Sequence, residues 1–113
     1  TLGAALVSEG LAGQFVRHLL GSTAEPWESA VNREDLLRTP TDRQALDATY
    51  YDHSAWFFGT GVHPRWLGYT LGDQMVEQWL AGAGDIDAAT WINVPASLII
   101  DSAVEAGLVL QKT

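Results

Sequence analysis

From Leu2 to Leu20 the chain places apolar side chains at helical spacing, and then it meets Gly21, a residue suited to ending a helix. This stretch constrains the fold more than any other, because a helix with so broad an apolar surface must be covered by other elements. One residue does not fit. On a helix, positions three, four and seven residues from Glu9 share its face. Those positions hold Leu2, Ala5, Leu6, Ala12, Gly13 and Val16, none of them polar. A carboxylate thus sits in the middle of the stripe expected to face the core. A buried carboxylate needs a cation or several hydrogen-bond donors.

The rest of the pattern is also helical. From Arg65 to Ala81, Trp66, Tyr69, Thr70, Val76 and Leu80 share a face that Leu67, Leu71 and Met75 extend, and GAGD ends the segment. Gly68 and Gly72, four apart, are expected to let another helix approach closely. The stretch GSTAEPWESAVNRE reads as a loop with at most one helical turn, and residues 34–38 as a short helix that stops before Pro40. Thr41 is expected to cap a helix of about two turns, and FFGTGVHP to form a loop. Asp85 or Asp87 opens a further short helix, and Pro95 opens the last, which runs to about Ala106 with Gly107 as its stop. LVLQKT forms a tail with at most a short strand. No strand pair or internal repeat is evident. The expected architecture is all-α, with four to six helices in one helical domain or subdomain over residues 1–113.

The net charge of −8, with one Lys and five Arg and no basic stripe, argues against nucleic acid and anionic lipid as partners. There is no cysteine, which excludes disulfides and thiolate metal sites. No run of about 18 apolar residues is present, so no membrane span is expected. Thr1 already lies inside a helical pattern, so the chain is expected to be a fragment whose natural beginning lies upstream.

Glu9 is the first chemical candidate. A divalent metal is one cation that would offset its burial, and Glu is an ordinary zinc ligand; a partner arginine would serve equally. His18, nine residues on, falls about opposite Glu9 on the helix and cannot share a metal with it. His53 and His63 lie in or beside loops, without H-x-x-x-H spacing. Tyr69, near a helix start, is either a core aromatic or a donor to a developing oxyanion. GTG at 59–61 lacks the spacing of a phosphate loop and reads as a turn. The five Trp are expected mostly in the core.

The segments LVSEGLAGQFV and PRWLGYTLGDQMVEQWL together resemble the C-terminal part of a bacterial family of predicted zinc-dependent proteases. These are zincin-like proteins with HExxH on one helix, S-E-G-L-A on a later one and then a P-x-W-x-G-Y-x-x-G helix; gliding-motility lipoproteins are distantly similar in the last motif. Ser8, Glu9, Gly10, Leu11 and Ala12 carry the first motif here; Pro64, Trp66, Gly68, Tyr69 and Gly72 carry the second. The resemblance spans residue 2 to about 104. It implies that Glu9 is the third zinc ligand, beside two histidines of HExxH, whose glutamate acts as general base in peptide-bond hydrolysis. Tyr69 and Arg65 would belong to the substrate wall of the cleft, and the substrate would be a peptide or protein. HExxH is absent from these 113 residues. The parent protein is therefore expected to carry zinc, and this fragment to be inactive and to bind none tightly.

Without its covering helix, Glu9 should face an open, partly apolar groove beside Leu2, Leu6 and Val16. Self-association through residues 2–20 is then expected. A different reading stays open: a non-catalytic helical module that binds protein or peptide, with Glu9 paired to an arginine and the Trp residues forming an interface. Carbohydrate binding by exposed Trp is a third.

Overall fold

The computed structural model describes residues 1–111 and is all-α, with seven helices among those residues. The first, α1 (Leu2–Leu20), starts at Thr1, whose hydroxyl accepts from the Ala4 N–H, and stops at Gly21 in the left-handed region with φ 64°. A 3-10 turn follows at Pro26–Glu28, then α2 (Arg33–Arg38) with Asn32 as its cap. Asp42 rather than Thr41 caps the next helix, α3 (Arg43–Leu46), which is one turn long and not two. Thr41 and Asp42 instead form β1, which pairs in parallel with β2 (Val109–Leu110), a small pairing that local periodicity does not reveal. The tail of the chain from Lys112 lies outside the described residues.

FFGTGVHP is only partly a loop, because Phe57 and Phe58 close a helix, α4 (His53–Phe58), capped by Asp52. The long second helix, α5 (Leu67–Ala83), begins two residues later than expected. Trp66 lies outside it in the left-handed region, with φ 62°, an unusual conformation for a residue with a Cβ. Two shorter helices complete the chain, α6 (Ala88–Asn93), capped by Asp87, and α7 (Ala96–Glu105), entered through Pro95. The count exceeds four to six because of α4, whose six residues are too few to show a full period of apolar positions.

Helix α1 packs along α5, and α7 closes the core against both. Gly10 and Gly72 set the approach. A Cβ on Gly10 would run into the Gly72 carbonyl, and a Cβ on Gly72 into the carbonyl of Leu6, so backbone meets backbone at this crossing. Gly72→Ala is therefore expected to destabilise the fold by about 1–3 kcal/mol, the range for overpacking, read as a lowered urea midpoint. An unchanged midpoint would mean that the two helices can separate without loss.

This packing turns α1 away from the orientation expected of Glu9. The face of α1 in the core is Leu2, Gly3, Leu6, Val7, Gly10 and Gln14. Glu9 is exposed. Both faces of α1 are apolar enough to be buried, so composition alone could not choose between them; the two-glycine face won because it permits the closer contact. Leu2 and Leu6 are fully buried and cannot belong to a self-association surface. The large apolar side chains of α1 that remain exposed are Phe15, Val16, Leu19 and Leu20.

Candidate functional site

Away from α5, the outer side of α1 presents Ala4, Ala5, Ser8, Glu9, Ala12, Phe15, Val16 and Leu19. Glu9 is the one charged group among them. A groove of about 280 Å³ runs beside it, with Glu9, Ala12, Gly13 and Val16 on one wall, the loop from Ser22 to Glu28 on the other, and Tyr69 at one end. Among the described residues Glu9 has no hydrogen bond or ion pair from its carboxylate.

Tyr69 enters the groove from the first turn of α5. Its ring is packed edge-on against Phe57, with centroids 5.1 Å apart. Burial, and after it the negative charge of Glu9, raise the phenol above its ordinary pKa. It therefore stays protonated at neutral pH and can donate a hydrogen bond. Arg65 does not line this groove. It is exposed, and its guanidinium lies 3.8 Å above the Trp66 ring, a cation–π contact. Its backbone fills the space that a side chain at Gly59 would need, so Arg65 helps close the loop ahead of α5.

None of the three histidines lies beside Glu9. His18 meets the Trp91 ring edge at 5.4 Å, His53 stacks on Phe57 at 4.4 Å, and His63 lies 3.9 Å from Trp56. A larger groove, about 710 Å³, is walled by Trp56, His63, Leu36 and Pro40 and holds neither Glu9, Tyr69 nor Arg65. Asp35, Arg38 and Asp42 also line it, but the smaller groove is the better candidate because it brings Glu9 and Tyr69 together.

Beneath the smaller groove lies a polar cluster that sequence reasoning missed. Arg17 donates from Nη2 to Asp73 Oδ1 at 2.6 Å, and its Nη1 lies 3.0 Å from Glu28 Oε1. Gln14 donates to the same Asp73 oxygen at 3.1 Å and to the Asp73 carbonyl at 3.3 Å. Burial pushes the Asp73 carboxyl above its ordinary pKa, and Arg17 pulls against that. The Glu28 carboxylate lies against Gly13, where a side chain would displace it. Thr70 ties the loop to α5, donating to the Trp27 carbonyl at 3.2 Å and accepting from the Ala30 N–H at 3.1 Å. The test applied to Glu9 does not single out Asp73, because the residues three, four and seven positions from it include Thr70 and Glu77.

Zinc fits this chain only as a partial site. Among the described residues no three His, Cys, Asp or Glu side chains are grouped to hold a metal ion. Glu9, exposed and without an ion pair, offers one carboxylate, fewer than the usual three protein ligands of a zinc site. No helix among the described residues is long and apolar enough to cross a membrane.

No curated protein and no solved structure matches the chain. Residues 1–101, from α1 into α7, match a family described as Predicted Zn-dependent protease (DUF2268). That match covers Glu9, the loop walls and Tyr69 together, and the chain belongs to this family of predicted Zn-dependent proteases.

Proposed function

We propose that the chain is the helical C-terminal part of a zinc-dependent metallopeptidase, supplying Glu9 as the third zinc ligand and one wall of the peptide cleft. The supporting observation is the outer face of α1, mostly apolar, with Glu9 as its only charge. A helix carrying HExxH would pack on the Ala4, Ala5 and Ser8 end of that face and bring two histidines to Glu9, leaving Ala12 and Val16 to the groove. Zinc, when bound, polarises the scissile carbonyl and lowers the pKa of water. Glu9 would orient and hold the ion, Tyr69 would donate to the oxygen on which charge develops, and the groove would seat the peptide. Arg65, on its loop outside the groove, would contribute to the rim at most. The non-catalytic alternative pairs Glu9 with an arginine, and Arg17, the arginine of this groove, is held instead by Asp73 and Glu28.

Zinc analysis of a longer protein that includes the HExxH segment tests this directly. The wild type should retain about one zinc per chain and Glu9→Gln far less, since a neutral amide is a poor ligand for the ion. Because Glu9 is exposed, the variant's circular dichroism should match the wild type. Full zinc retention by Glu9→Gln would remove Glu9 from the metal site.

A further inference from the structure

The charge of the small groove is one-sided. Its lining carries three carboxylates, Glu9, Glu25 and Glu28, and one guanidinium, Arg17. That guanidinium is not available to a ligand, since it is 2.6 Å from Asp73 and 3.0 Å from Glu28 with only 15% of the side chain exposed. Glu25 is exposed and has no ion pair among the described residues. Two aromatic rings stand beside these carboxylates, Trp27, 41% exposed, and half-buried Tyr69, with Ala12 and Val16 as the aliphatic wall.

We propose that this groove is a subsite for a basic side chain, arginine or lysine, of a peptide. A long side chain with an apolar stem and a cationic head matches every part of it. The stem lies along Ala12 and Val16, and the head reaches Glu25 and the face of Trp27. An acidic side chain would meet carboxylates without a free cation, and a short apolar one would gain nothing from Glu25. The cavity and the exposed indole locate the subsite; the carboxylates set its preference. The identity of the occupant as a peptide rests on the peptidase reading, while the charge preference rests on the groove alone.

The 113-residue chain itself can be tested by NMR titration with four capped pentapeptides, identical except for a central arginine, lysine, norleucine or glutamate. The arginine and lysine peptides should shift the Trp27 indole N–H and the Val16 methyls. The norleucine peptide should bind about tenfold more weakly, and the glutamate peptide should produce no shift. Glu25→Gln, at an exposed position, should weaken the arginine peptide about 3- to 10-fold and leave the norleucine peptide unchanged. Trp27→Ala should weaken both, and added salt only the basic peptides. Equal binding of arginine and norleucine, absence of binding by the basic peptides, or shifts that map away from Trp27 would each overturn the subsite. No metal enters this titration. Its failure therefore leaves the zinc role of Glu9 intact, and full zinc retention by Glu9→Gln leaves the subsite intact.

Discussion

Arg17→Leu is expected to destabilise the fold by about 3–5 kcal/mol, the range for removing one partner of a buried ion pair. Among the described residues the arginine is the only cation between two carboxylates, Asp73 at 2.6 Å and Glu28 at 3.0 Å, and Asp73 is almost wholly buried. Leucine fills much of the same space but leaves those acids facing one another in a poorly solvated site. The effect should depend on pH, with a definite sign. Burial already raises the folded pKa of Asp73, and loss of Arg17, which opposes that shift, raises it further. A group with a raised folded pKa contributes most stability below its unfolded value and loses it as pH rises through the folded value. The deficit of Arg17→Leu should therefore be largest at neutral pH and shrink as pH is lowered through the range in which Asp73 takes up its proton. Urea unfolding at neutral and mildly acid pH measures this. A deficit below about 1 kcal/mol at neutral pH would show that the cluster is solvated after all.

Tyr69→Phe is expected to lower kcat of an active zinc-loaded parent by about 10²- to 10³-fold while leaving its zinc content unchanged, the usual cost of losing one donor to an oxyanion. The ring packs against Phe57 in either residue, so the substitution removes the hydroxyl and preserves the wall. The phenol shares the groove with Glu9 and is held protonated by burial and by that carboxylate. Glu9→Gln should behave differently, losing metal and activity together. If Tyr69 only fills space, Phe will be silent in both assays. Full turnover by Tyr69→Phe would remove the residue from the mechanism without touching the assignment of Glu9.

The helical skeleton was readable because its signals are local. Gly21 ends α1, Asp87 caps α6, Pro95 leads into α7, and Gly107 ends it in the left-handed region, with φ 81°, whereas Thr1, expected inside the helix, is the cap of α1. Each works through hydrogen bonds or backbone angles within a few residues. The short helix α4 was hidden because six residues carry too little periodicity, and the β1–β2 pairing because its partners are far apart in the chain. The family likeness was also legible, since S-E-G-L-A and P-x-W-x-G-Y-x-x-G are read in order along the chain.

Which face of α1 became the interior could not be read in the same way. Periodicity identified a helix with apolar residues around most of its circumference and placed Glu9 among them, but periodicity is indifferent to rotation about the helix axis. Tertiary packing decided the rotation through Gly10 and Gly72, where two backbones meet only if neither residue has a side chain. That choice put Glu9 on the outside beside Tyr69, and buried Asp73 with Arg17 in its place. The sequence by itself determined the long helices α1 and α5, the closing helix α7 and the presence of an acid in an apolar setting. Only the tertiary structure decided which acid is buried, because burial depends on the fit of two surfaces and not on the order of residues in one.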